Sequence, residues 1–157
     1  MKTAFMVMLA IAVAVIILFV ILGLVSRSGE APGLVRGSLS KCPDKPNCVC
    51  SEYPEDVAHY VPPLRVVSGN PHDLLMLLKS IVSDMGGRVD AERDHYLAAT
   101  FSSAIFGFVD DLEIRIDSAG QQIHVRSGSR VGYGDGGVNA SRIEELRKRV
   151  EAKISAS

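Results

Sequence analysis

The chain has 157 residues, 17 of them Lys or Arg and 18 Asp or Glu, giving a formal net charge of −1. That length leaves room for one domain once a terminal segment is set aside, large enough to bury its own core. So even a balance argues against a nucleic-acid binder, whose affinity comes from a basic excess that neutralises phosphates.

From Ala4 to Val25 there is no charged or strongly polar side chain. As a helix this run spans roughly 33 Å, enough for a ~30 Å hydrocarbon core. A cleavable signal carries an apolar core of only about 7–15 residues before a small-x-small site, and Leu24-Val25-Ser26-Arg27 offers a poor one. An uncleaved transmembrane anchor over residues 1–25 is therefore expected, with a cleaved signal as the alternative. Lys41-Cys42 lies too far beyond the apolar run to read as a lipoprotein attachment site. Ala10 and Ala14 form a small-x-x-x-small pair, which is either ordinary alanine usage or a seam for association with a neighbouring membrane protein.

Residues 26–40 are rich in Ser, Gly and Pro without a period and read as a flexible tether to a domain over residues 41–157. The spacing of Cys42 and Cys48 suits a disulfide closing a short proline-bent loop; free thiols and a zinc site are the alternatives, and Cys50 is left over. Zinc would want four ligands, and His59, His72, His95 and His124 are scattered without the usual spacing, so no metal and no cofactor are expected. Lys2 on one side of the anchor and Arg27, Arg36 and Lys41 on the other favour a cytoplasmic domain by the positive-inside rule. The cysteines suit an oxidising compartment, and the periplasmic side is preferred on that ground.

Leu64–Val67 after Pro62-Pro63 suits an edge strand. Asn70 as cap, Pro71 in the first turn and a stripe of Leu74, Leu77, Leu78, Ile81, Val82 and Met85 predict a helix closed by Gly86-Gly87. Four strands follow: one around Val89 and Ala91, a turn at Arg93-Asp94, one over Tyr96–Ser103, one with Leu112, Ile114 and Ile116 alternating, and, after a Ser118-Ala119-Gly120 turn, one with Ile123 and Val125. Parity sets Ile116 opposite Ile123 and Ile114 opposite Val125 on the core face, with Glu113 opposite Arg126 and Arg115 opposite His124 on a polar face. A last helix begins near Asn139, with Ser141 and Glu144 as a capping box and Ile143, Leu146, Val150 and Ile154 as its stripe. The expected fold is α+β, in the order β-α-β-β-β-β-α: an antiparallel sheet with two helices packed on one face, preceded by one transmembrane helix.

Three blocks carry a resemblance. Cys42-Pro43-Asp44-Lys45-Pro46-Asn47-Cys48-Val49, Phe108-Val109-Asp110-Asp111-Leu112-Glu113, and the run from Arg126 through Ser127, Ser129, Arg130 and Tyr133 to Asn139 resemble a bacterial family of unknown function, family 1499. The resemblance runs from about Lys41 to Val150; Cys50 departs from a usual Ser, and Gly134 and Gly136 stand where bulkier residues are usual. It implies one domain and, since members often follow a membrane segment, a single-pass protein of the bacterial inner membrane. It brings no activity, so function has to be argued from sites.

Gly132-Tyr133-Gly134-Asp135-Gly136-Gly137 fits G-x-G-x-x-G, but no parallel strand follows its helix, so a dinucleotide site fails. A glycine loop leading into a helix can still hold an anion on backbone N–H groups. Arg126, Ser127, Ser129, Arg130, Tyr133, Asp135, Asn139 and Arg142 are the candidate ligand-binding residues, with Asp110 and Asp111 in support. The plainer reading is that these groups tie the loop down, Arg130 pairing with Asp110, Asp111 or Asp135. Asp110 and Asp111, being adjacent on a strand, point to opposite faces and suit turn capping or an Arg partner better than shared acid–base work. His124 and Ser127 differ in parity, which disfavours a nucleophile–base pair, and Asn139-Ala140-Ser141 as a glycosylation sequon coincides with a helix start. No catalytic residue is assigned. The expected function is a membrane-anchored, non-enzymatic binding or accessory module, partnered by the membrane and a neighbouring membrane complex or a small anionic ligand. The alternative is an envelope hydrolase using Asp110, Asp111, His124 and Arg130.

Overall fold

The computed structural model describes residues 1–65, 70–119 and 121–155. Val66 and Val67 of the expected first strand, and Gly120 of the expected turn, lie outside the described residues. The elements are α1 (Lys2–Arg27), β1 (Leu34–Val35), β2 (Ser38–Leu39), β3 (Cys48–Cys50), β4 (Leu64–Arg65), α2 (Pro71–Asp84), β5 (Arg88–Arg93), β6 (Tyr96–Ser102), β7 (Val109–Asp117), β8 (Gln122–Ser129) and α3 (Val138–Ser155).

From β4 onward the order is the expected one. The sheet runs β3-β8-β7-β6-β5, with β4 also paired to β8, and its pairings are antiparallel. Side-chain parity holds along the central hairpin: Ile116 opposes Ile123, Ile114 opposes Val125, Glu113 opposes Arg126 and Arg115 opposes His124. A bulge between Val89 and Ala91 interrupts alternation in β5.

One face of the sheet carries Leu97, Ala99, Leu112, Ile114, Ile116, Ile123 and Val125, which pack against both helices. Asn70 caps α2 by accepting the His72 N–H, and Pro71 occupies the first turn, where its missing N–H costs nothing. The buried line of α2 is Leu75, Leu78, Ile81 and Val82, while Leu74, Leu77 and Met85 are only partly buried. The innermost line keeps Leu78, Ile81 and Val82 of the expected stripe and adds Leu75. Each such side chain contributes roughly 1.5–3 kcal/mol when fully removed from water.

The expected capping box at Ser141 does not form. Ser141 lies inside the first turn of α3, where its N–H donates to the Gly137 carbonyl. Asp135 caps the helix instead, its carboxylate accepting the N–H groups of Gly137 and Asn139.

The opposite face of the sheet is covered too. Leu39, Cys42, Cys48, Cys50, Tyr96 and Ala98 form a second buried cluster, with Ala31 and Tyr53 packed against it. The segment expected to be a flexible tether therefore lies as a strap across the sheet. Within it β1 and β2 pair as a hairpin, turned by Arg36 and Gly37, both at positive φ as a two-residue hairpin loop requires. Gly33 donates its N–H to Glu113 Oε1 at 2.8 Å, and Tyr53 donates its hydroxyl to the Leu39 carbonyl. Cys42 and Cys48 are joined in a disulfide that pins the strap beside β8, and Cys50 is free and buried.

Candidate functional site

On the helix side, β8 and α3 share a closed polar network. Ser127 and Asn139 are essentially fully buried. Ser127 Oγ donates to Asn139 Oδ1 at 2.6 Å, and Asn139 Nδ2 donates to Ser129 Oγ and to the Asn47 carbonyl, each at 3.0 Å. Arg142 donates to Ser127 Oγ and Asn139 Oδ1, pairs with Asp110 at 2.7 Å and lies over the Phe101 ring. These bonds join the strap, β7, β8 and α3.

The glycine loop is closed at its centre by Asp135. Burial pushes that carboxyl upward, but the N–H groups of Asn139 and Gly137 outweigh it and hold the acid below its ordinary range. The donors that an external anion would use are engaged by the protein's own carboxylate. Tyr133, 73% exposed, projects from this loop.

On the strap side, Arg130 grips Asp111 through Nε and Nη2 and also donates to the Ser26 carbonyl at 3.2 Å. Its bond to Asp111 raises the Arg130 pKa further. Farther along, Glu113 is fully buried and accepts from Arg126 at 3.0 Å, Tyr96 at 2.7 Å and Gly33. Burial and this carboxylate drive the Tyr96 phenol well above its ordinary range. Beyond them, Arg115 meets Glu52 at 2.6 Å, and Ser51 Oγ, which accepts the Val125 N–H, lies 3.3 Å from His124 Nδ1.

The candidate residues are therefore split. Ser127, Ser129, Asp135, Asn139 and Arg142 belong to the helix side, Arg126 and Arg130 to the strap side, and Asp110 and Asp111 take separate arginines. Asp110, Asp111, His124 and Arg130 do not converge on one concavity. Asp110 faces the helices, and His124 pairs with Arg115, four residues and roughly 13 Å along β7 from Asp111. That dispersal removes the geometry a hydrolase built on these four would need.

An open concavity does exist, running along β5 from the end of the sheet where α1 arrives towards the β5–β6 turn. A groove of about 460 Å³ lies between the strap and the β5–β6 edge, lined by Arg27, Glu30, Arg88, Arg93, Tyr96 and Arg130 among others. Arg88 pairs with Asp90, and Arg130 with Asp111. The last turn of α1 is built into the same end. Ser26, 1% exposed, accepts the Val109 N–H at 3.1 Å and donates to the Gly23 carbonyl. Gly23 is pressed so closely against the Phe106 carbonyl that a Cβ would collide with it. The sequence held one signal for this contact, a glycine and a serine at the end of an otherwise bulky apolar run.

Residues 38–150 match the family described as Protein of unknown function (DUF1499). The chain belongs to this family. No curated protein matches the chain significantly. The DUF1499 region opens at the first residue of β2 and closes at Val150, the last fully buried contact of α3, so it takes in the six-stranded sheet and both core helices. Cys50 is 2% exposed with its thiol pKa raised by burial, and Gly136 has a φ of +64° that a bulkier residue would strain.

Proposed function

We propose that this DUF1499 protein is a single-pass, membrane-anchored, non-enzymatic accessory module whose contact surface is the groove beside the anchor. The observation that carries the reading is the position of the groove. One end of it is lined by Arg27, the last residue of α1, and by Arg130, which itself holds the Ser26 carbonyl. A ligand at the Arg27 end of this groove sits where the chain leaves the bilayer, the natural place for an anionic group on a neighbouring membrane protein or lipid.

Two further features support it. α1 is the one helix among the described residues long and apolar enough to cross a membrane, and its apolar window is wholly unburied. A cleaved signal would strip away Gly23 and leave Ser26 at a new terminus, although both are buried in the fold. The disulfide is in keeping with a periplasmic position for the domain. The glycine loop serves as a tie between strap and helix, and Arg130 is the residue it contributes to the groove.

The reading is tested by extracting the full chain from its native membrane in mild detergent and sizing it. A species larger than the monomer in its micelle, reduced to monomer by Arg88→Glu, is expected. A lone monomer with the anchor intact counts against it.

A further inference from the structure

The β6–β7 connection, Ser103–Phe108, is uncharged, and no charged residue occurs from Phe101 through Val109. It is a tight, internally bonded loop. Ser103 accepts the Phe108 N–H on its hydroxyl and the Gly107 N–H on its carbonyl, and donates its own N–H to the Phe108 carbonyl. Gly107, at a φ of +66°, makes the turn. The loop tip is apolar and bare, with Ile105 85% exposed.

What gives the loop meaning is where it lies along α1. The Phe106 ring is 5.1 Å and the Phe108 ring 6.0 Å from the ring of Phe19, centroid to centroid. The Phe106 carbonyl abuts Gly23, and Arg27 Nε donates to the Gly107 carbonyl at 3.5 Å. With 1.5 Å of rise per residue, Gly23 and Phe19 lie roughly 6 and 12 Å back along the helix from Arg27. A loop packed beside those residues shares their depth.

We infer that Ser103–Phe108 is a second membrane-inserting element, an apolar wedge that enters the acyl-chain boundary of the bilayer alongside α1. The inference rests on α1 being a membrane anchor. If the helix from Phe19 to Gly23 is in lipid, the loop against it cannot be in bulk water. Its reach matches the ~5–10 Å burial of interfacial elements. Its backbone meets the demand of a low-polarity setting, since the bonds through Ser103, Gly107 and Phe108 satisfy polar groups internally. Arg27 then lies at the headgroup level and marks the boundary. The occupant of the Ile105 surface is lipid, and loop and helix together set the tilt of the domain on the membrane.

The chain contains no Trp, so single substitutions provide unique fluorophores. Ile105→Trp probes the wedge, Val13→Trp the anchor, and Asp94→Trp the exposed turn at the far end of β6. Each full-length variant is reconstituted in vesicles of mixed zwitterionic and anionic phospholipid, with and without bromine on the upper acyl chain. Ile105→Trp is expected to emit at shorter wavelength than Asp94→Trp and to be quenched in brominated lipid, as an interfacial residue is. If Val13→Trp is quenched while Ile105→Trp behaves like Asp94→Trp, the wedge is refuted and the anchor stands. If Val13→Trp is unquenched, the anchor fails and the wedge with it. A blue-shifted but unquenched Ile105→Trp places the loop against protein and overturns the lipid assignment.

Discussion

Glu113 and Arg126 form an ion pair at 3.0 Å with side-chain exposures of 0% and 8%. It lies beneath a strap that the sequence shows only as a polar, proline-bent stretch. The carboxylate also receives Tyr96 and the Gly33 N–H, so one buried charge fastens the strap to two strands. Glu113→Gln removes the countercharge but leaves Arg126 buried, and is expected to cost about 3–5 kcal/mol. Tyr96→Phe, which removes one bond to the same carboxylate, is expected to cost about 1–2 kcal/mol. Chemical unfolding of the full chain in detergent, followed by circular dichroism, checks both.

The Asn139 amide bridges the strap, β8 and α3, and its burial means no water replaces those partners. Asn139→Ala is expected to destabilise by about 2–4 kcal/mol through the groups it leaves unpaired. Tyr133→Ala, in the same loop but 73% exposed, is expected to change stability by no more than about 0.5 kcal/mol. The contrast, read in the same unfolding assay, separates a structural tie from general loop sensitivity.

Asp135 fills the anion position at the start of α3. Asp135→Ala is expected to cost about 1 kcal/mol by loss of the cap. It also frees the N–H groups of Gly137 and Asn139, so sulfate is expected to stabilise this variant and not the parent protein. Thermal unfolding across a sulfate series, with chloride at matched ionic strength, gives the comparison.

The disulfide closes a loop between cysteines six positions apart, and losing it through Cys42→Ser with Cys48→Ser is expected to cost about 2 kcal/mol. Cys50, buried with its thiol pKa raised, is expected to resist a maleimide in the folded protein and to react once denaturant exposes it. Mass spectrometry after timed labelling resolves the two states.

His124 adds a pH dependence to stability. Burial holds its imidazole below the ordinary value, so folding favours the neutral ring. In the unfolded chain the ring takes up a proton near pH 6.5, and the folded chain does so only at lower pH. Stability from this group is therefore present above about pH 6.5 and is lost as pH falls from there through the folded pKa. His124→Asn is expected to flatten that part of a stability–pH profile.

The strand register was legible because alternation in β7 and β8 leaves one pairing that buries Ile114, Ile116, Ile123 and Val125 together. The α2 helix was legible from Asn70, Pro71 and its stripe, though Leu75 was hidden because only tertiary packing tells a helix which neighbouring row is innermost. The cover over the polar face was not legible, because nothing periodic in residues 26–40 marks them as packed. In the strap Leu39 and the three cysteines are buried while Leu34 and Val35, equally apolar, are exposed, so composition alone does not mark the covered residues. Asp110 and Asp111 were legible as arginine partners on opposite faces, since strand geometry forces that separation. The groove was not, because its walls come from α1, the strap and β5, whose meeting depends on the strap's path.

The junction at Ser26 has a mechanical consequence. Helix and sheet meet through buried bonds rather than a swivel, so the domain moves as the arm of a crank whose shaft is α1. On the proposed anchoring, a membrane-helix tilt of about 20° acting over the roughly 23 Å length of β6 carries the Asp94–His95 turn roughly 8 Å sideways. A neighbour gripping either the helix or that far turn would feel the other end move.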